Sequence, residues 1–257
     1  MRPAFGCIRA RKPAASRRRS EAHSRPEETH TNETVVIDYL PSSVAKYRDY
    51  HTIVAVDVIR ATTMAVTAVA QGRRCVAAAD LEDAFAIGDR IGDAVLAGEL
   101  GGDMPDGFDM NNGPADLAGR RDVHRPLVML FSSGTQLMLE ASRCAHGAYV
   151  ACFRNFRAVA RHLIGNHRRV AVIGAGSRNE FREEDQMCCA WVAELLVNAG
   201  YRPDDNKTAE IIERWHGAPA TACETGNSVA YLRRSGQLGD FHFVTAHVDD
   251  LDVVVGV

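Results

Sequence analysis

From Thr34 onward the apolar positions of this chain fall into two alternating rhythms. Short runs that are apolar at nearly every position recur at residues 34–40 (TVVIDYL), 51–59 (HTIVAVDVI), 73–79 (RRCVAAA), 94–100 (AVLAGEL), 125–133 (RPLVMLFSS), 147–153 (GAYVACF) and 168–176 (RRVAVIGAG). Runs of this length, rich in Val, Ile and Ala and bounded by polar or glycine positions, predict strands buried on both faces. Between them lie segments with helical spacing: residues 60–72, closed by Gly72; 80–92, with Asp80 as N-cap; 134–142; 155–165; and 183–200, closed by Gly200. The last third is more helical, and residues 228–245 (SVAYLRRSGQLGDFHFVT) read as a helix, a turn and a late strand.

Strand–helix alternation at this spacing predicts an α/β fold: three layers, α/β/α, around a mostly parallel or mixed sheet. Ligands of such sheets sit outside the carboxyl ends of the strands. Polar residues collect there: Asp57 and Arg60 after one strand, Glu99 after another, SSGT (132–135) after a third, Asn155 after a fourth and GAGSRNEFREED (174–185) after a fifth. No repeat of solenoid length is present. Residues 1–33 carry no pattern of any period and are expected to be a disordered basic extension outside the fold.

Charge sharpens this picture. The net charge of −3 divides into about +4 over residues 1–33 and −7 over the rest. An acidic body is a poor nucleic-acid binder, so any anion it takes must be met by a metal ion, an arginine or backbone N–H groups. No apolar run approaches the roughly 18 residues of a membrane span. The Arg and Ser of the N-terminal tail suggest a transit peptide and its glutamates argue against one. Seven cysteines without a Cys-x-x-Cys pair read as reduced core thiols of a cytoplasmic protein, Cys188 and Cys189 among them. His124, His146, His162 and His167 lack partners at metal or triad spacing and are expected to be solvated.

Four stretches carry candidate chemistry. VDVIRATT (56–63) sets Asp57 at a strand end, with Thr62 and Thr63 in the first turn of a helix whose N–H groups and dipole favour a phosphate; Arg60 is a candidate clamp. Haloacid-dehalogenase-type phosphatases place a second Asp two residues after the first, where this chain has Ile59. In the long loop GELGGDMPDGFDMNNGP (98–114), Glu99 and Asp109 are candidate metal ligands, acid/base groups or turn formers, and Asn111 and Asn112 candidate holders of substrate oxygens. FSSGTQ (131–136) offers Ser133, Gly134 and Thr135 at a strand-to-helix turn, without the glycine spacing of a nucleophile elbow. GAGSRN lacks the third glycine of a dinucleotide fingerprint, Asn179 standing in its place, and the Glu183, Glu184, Asp185 run that follows suits a hard cation or simply caps a helix.

Taken in order, VDVIRATT, GE..GG, GFDM.N.P, the GT of SSGT, F.NF.AVA, F..ED..C and the C-terminal block from Ser228 through DDLDVVV resemble the 2-phosphosulfolactate phosphatase family from about Val35 to the end. The resemblance implies a magnesium-dependent acid phosphatase domain over residues 34–257, a small phosphorylated hydroxy acid as substrate, and a link to coenzyme M biosynthesis. By position it implies that Asp57, Arg60, Glu99 and Asp109 are catalytic. Thr62, Thr63, Asn112, Gly134, Thr135 and Asn155 would hold substrate, and Asp57, Glu184 and Asp185 would hold Mg²⁺. The chain departs from the family pattern at Leu100, where an arginine is usual, at Asn111 and Gly113, which replace a Gly and a Ser, and at Ser133, which replaces an Asn. These departures motivate a second expectation, a non-catalytic homologue that binds a phosphorylated metabolite. Self-association is left open.

Overall fold

The computed structural model describes residues 6–11, 33–177 and 180–257. In chain order its strands and helices are β1 (Gly6–Arg11), β2 (Thr34–Tyr39), α1 (Val44–Tyr47), β3 (Thr52–Val56), α2 (Ala61–Ala70), β4 (Cys75–Ala77), α3 (Leu81–Ile91), β5 (Val95–Glu99), α4 (Pro114–Gly119), β6 (Leu127–Phe131), α5 (Gly134–Ala141), β7 (Ala148–Ala151), α6 (Phe156–Leu163), β8 (Arg169–Gly174), α7 (Glu183–Asn198), β9 (Arg202–Pro203), α8 (Asn206–Trp215), α9 (Asn227–Arg234), α10 (Leu238–Ala246) and β10 (Val254–Gly256). The predicted strands form because their apolar residues serve two cores at once. In β3, Ile53 and Ala55 face one hydrophobic cluster while Val54 and Val56 face another. Asp80 caps α3 as expected, its carboxylate accepting the Asp83 N–H at 2.8 Å.

The sheet is mixed, ten strands in the order β5-β6-β4-β1-β10-β7-β3-β8-β2-β9. Two parallel blocks, β5-β6-β4 and β7-β3-β8-β2-β9, are joined through antiparallel β1 and β10. Helices cover both faces, as the alternation predicts. One face holds α1, α2, α4 and α5; α3 lies behind the first block, and α6 to α10 pack behind the second. The sheet curls strongly, because the turn after β6 touches the turn after β3 although four strands separate them in the sheet. Helix α2 lies inside that curl and is buried at every position from Ala61 to Val69.

Three expectations need correction here. Gly6–Arg11 belongs to the sheet: residues 6–8 pair with β4, residues 9–11 with β10, and Ile8 is 2% exposed in the core. Its partners lie some 70 and 250 residues away, so no local periodicity could announce it. The expected disorder of residues 1–5 and 12–32 lies outside the described residues. DFHFVT is helix, not strand, since Phe241 and Val244 stack at helical spacing into the core behind β3 and β8; the late strand is β10 instead. His162 and His167 are half-buried rather than solvated, their Nε2 atoms 2.9 and 3.1 Å from the Tyr149 hydroxyl. His146 remains exposed. All seven cysteines are unpaired thiols, and Cys75, Cys152, Cys188, Cys189 and Cys223 are buried. Among the described residues no helix is long and apolar enough to cross a membrane.

Candidate active site

The curl brings the carboxyl ends of β3, β5, β6 and β8 around one cleft of about 680 Å³. Asp57, the first residue beyond β3, lies on its floor and is 8% exposed. Asp57 Oδ1 accepts the Ala61 N–H at 3.2 Å at the start of α2. Oδ2 lies against Gly134 at the start of α5, where an added Cβ would stand 2.4 Å from it. Two helix N-termini therefore face this carboxylate.

Asp185 enters from the first turn of α7. It is fixed by the Val58 N–H at 2.8 Å to Oδ1 and the Gly176 N–H at 3.3 Å to Oδ2. The glycine-rich turn after β8 thus serves a carboxylate of its own chain. Glu184 lies beside it, hydrogen-bonded to the Ser228 hydroxyl, with Oε2 buried and unpartnered. Burial pushes the Asp57 carboxyl up to about 7, and the negative charges of Glu99 and Glu184 add to the effect. Burial raises Asp185 as well, reinforced by Asp57 and Glu184, and burial raises Glu184. Three desolvated carboxylates, two on the floor and Glu184 behind it, constitute a deficit of positive charge.

Glu99, at the end of β5, is held by three hydrogen bonds from two neighbours. Its Oε1 accepts the Ser132 N–H at 2.9 Å, and its Oε2 accepts the Ser132 hydroxyl at 3.0 Å and the Gly102 N–H at 2.7 Å. Gly102 is clamped from above by Tyr231, whose hydroxyl donates to the Gly102 carbonyl at 2.7 Å. Glycine is required at 102, because its φ is +106° and a Cβ would lie 2.6 Å from that hydroxyl. Asn112 lines the cleft with a buried, unpartnered Oδ1, and Ser133 lines it at the start of α5.

The structure brings Asp57, Glu99, Asn112, Ser133 and Asp185 together in one cleft, with Gly134 packed beneath Asp57 and Glu184 behind the floor. Arg60 also reaches the cleft, but its Nη1 is committed to Asp240 at 2.6 Å and Gln237 at 2.5 Å; it braces α10 more than it clamps a ligand. The remaining candidates lie off the cleft lining. Thr62 and Thr63 are fully buried, their hydroxyls returning to the Asp57 and Val58 carbonyls. The Thr135 hydroxyl closes its turn on the Phe131 carbonyl. Asn155 accepts from the Cys152 N–H and donates to the Val150 and Val253 carbonyls, fixing the turn after β7 to the C-terminal segment. Asp109 is exposed along the sheet edge, accepting the Leu96 N–H at 2.8 Å, and Asn111 accepts the Asn112 N–H at 2.8 Å, away from the cleft lining.

Sequence reasoning missed Ser132, Arg182, Asn227, Ser228, Tyr231 and Arg234, all of which line the cleft. Ser132 lay in a motif already singled out. Ser228, Tyr231 and Arg234 of α9 lay in the C-terminal block that carries the resemblance, but only docking of that helix brings them to the strand ends. Among the described residues no three His, Cys, Asp or Glu side chains close around a common metal position.

Comparison with known proteins gives a consistent result. A family model described as 2-phosphosulpholactate phosphatase matches residues 28–257. A Deinococcus radiodurans protein named probable 2-phosphosulfolactate phosphatase is 32% identical over 216 residues, covering 80% of this chain and 86% of its own length. A protein of the same name from Gloeobacter violaceus is 32% identical over 197 residues (75% and 83% of the two chains), and one from Thermus thermophilus 30% identical over 213 residues (80% and 87%). With the match spanning every strand of the sheet except β1, and every residue of the cleft, the chain belongs to the 2-phosphosulpholactate phosphatase family.

Proposed function

We propose that the protein is a Mg²⁺-dependent phosphomonoesterase acting on a small phosphorylated hydroxy acid, with 2-phosphosulfolactate, cleaved to sulfolactate and phosphate, as the leading candidate. The observation that carries this reading is the convergence of Asp57 and Asp185 on the floor of a cleft into which helix N-termini open, in a chain of this family.

The floor suits a divalent cation. Its carboxylates are buried, mutually repelling and, for Glu184, incompletely hydrogen-bonded. Mg²⁺ takes one or two carboxylates and completes its shell with water and phosphate oxygens, so a closed three-residue cage is not needed. Asp57 and Asp185 would hold it, with Glu184 behind them. Bound there, Mg²⁺ would supply the positive charge that the dispersed anionic transition state of phosphoryl transfer demands. The N-termini of α2 and α5 contribute fixed dipoles toward the same point. We assign Asp57 as a metal ligand rather than the phosphoryl acceptor, with water as the attacking group. The second acidic residue of covalent-intermediate phosphatases is Ile59 in this chain. Glu99 and Ser132 hold the rim of the cleft, and Asn112 offers its carbonyl oxygen to a substrate hydrogen-bond donor.

The test is phosphate release from 2-phosphosulfolactate and a panel of phosphorylated hydroxy acids, with Mg²⁺ and with EDTA, for the wild type and Asp57→Asn. Mg²⁺-dependent release that disappears in the variant is the expected outcome. Tight metabolite binding without turnover on any compound would replace the enzyme with a binding-only homologue.

A further inference from the structure

The cleft carries positive charge that phosphate chemistry at its floor leaves unused. Among the described residues three arginines line it: Arg60, Arg182 and Arg234. Arg60 is neutralised by Asp240 at 2.6 Å. Arg182, immediately before α7, has a side chain only 13% exposed, yet its one ion pair is a 3.4 Å contact with Glu180, whose own side chain is 65% exposed. A contact of that length to a solvated carboxylate compensates little. Arg234, the last residue of α9, makes no ion pair among the described residues, although the adjacent Arg233 pairs with Glu224. Besides Glu180, the buried Glu184 behind the floor feels the Arg182 charge, but the other acids of the cleft are engaged elsewhere. Glu99 and Asp185 are taken up by N–H and hydroxyl donors, and Asp57 faces the helix termini.

Arg182 has only the long Glu180 contact and the charge of Glu184 to face it, so an anionic ligand in the cleft would gain a charge-assisted partner there. We propose that Arg182 and Arg234 form a second anion subsite. It receives the carboxylate or sulfonate of the hydroxy-acid portion while the phosphate lies over Asp57 and Asp185. The two arginines are then the residues that select phosphate esters bearing another acid group over simple alkyl phosphates. The location of the phosphate rests on the phosphatase reading; the capture of a second anion does not require turnover.

The experiment compares full-length wild type with Arg182→Gln, Arg234→Gln, the double variant and the corresponding lysine variants, all with Mg²⁺. Four substrates separate the groups: 2-phosphosulfolactate (carboxylate and sulfonate), 2-phospholactate (carboxylate), O-phosphoisethionate (sulfonate) and ethyl phosphate (neither). Each glutamine change is expected to raise KM for the substrates whose second anion it meets by about tenfold, the fold-change of one lost charge-assisted contact. The ethyl phosphate kcat/KM is expected to stay unchanged, with lysine restoring part of the loss. The pattern across phospholactate and phosphoisethionate identifies which acid group is bound. An equal fall for ethyl phosphate, or no change for any substrate, overturns the proposal. Calorimetric binding of sulfolactate to the same proteins decides it if the wild type hydrolyses nothing. Weaker binding by the glutamine variants then supports the subsite while the phosphatase reading fails, and unchanged or absent binding overturns both.

Discussion

Replacing Asp57 with asparagine should abolish turnover and, in metal-free protein, stabilise the fold. The ordinary carboxyl value of 3.8 is raised to about 7 in the folded chain, chiefly by burial. Between those values the folded state holds a proton that the unfolded state has released, so acidification stabilises the metal-free protein. The associated stability is fully present below about pH 4 and is lost as pH rises through about 7. A shift of roughly three units at about 1.4 kcal/mol per unit makes the ionised side chain cost about 4 kcal/mol at pH values above 7. Asparagine keeps the acceptor for the Ala61 N–H and carries no charge, so the variant escapes this cost. Urea denaturation of both proteins in EDTA, at about pH 5 and about pH 8, measures it. The variant should gain about 4 kcal/mol over wild type at the higher pH, an increase of about 10 °C in Tm, and under half of that, about 2 kcal/mol, at the lower. Mg²⁺ should then stabilise the wild type and leave the variant nearly unaffected. A variant destabilised to the same extent at both pH values would refute the claim that Asp57 is an uncompensated buried charge.

Three further outcomes test other links in the argument. Gly134→Ala would place a Cβ 2.2 Å from the Ala61 Cβ and 2.4 Å from Asp57 Oδ2, so phosphate release should fall by about a hundredfold with about 1–3 kcal/mol of lost stability. Asn155→Ala leaves one buried N–H and two carbonyls without their present partner and should cost about 3 kcal/mol in chemical denaturation. Its kcat/KM should be retained; a loss of kcat at unchanged stability would return Asn155 to the site. Ile8→Ala should cost about 2–5 kcal/mol if β1 is integral to the sheet; a change within about 0.5 kcal/mol would place that segment outside the fold.

The parts of the site legible in the sequence share one property: each is adjacent in the chain to the strand that positions it. Asp57 follows β3 directly, Glu99 ends β5, Ser133 lies two residues beyond β6 and Asp185 lies in the first turn of the helix after β8, so the rule placing ligands at strand ends reached them. The same rule overreached for Thr62, Thr135 and Asn155. At those turns the polar side chain satisfies the backbone of its own turn, and sequence alone does not distinguish a hydroxyl aimed at a ligand from one aimed at a carbonyl four or five residues away. Asp109 is a related case, its carboxylate serving the sheet edge at Leu96 and lying off the cleft lining.

Periodicity determined the seven principal strands, most of the helices and the α/β class, because each of those segments buries its apolar positions through local spacing alone. Tertiary structure decided the rest. The N-terminal strand exists only because β4 and β10 present unpaired edges to it across the length of the chain. The strand-like DFHFVT became helix because the core behind β3 and β8 accepts Phe241 and Val244 at a spacing of three. Arg182 and Arg234 meet in one cleft only after the sheet curls and α9 docks, since charge and packing between distant segments carry no signature in either segment by itself.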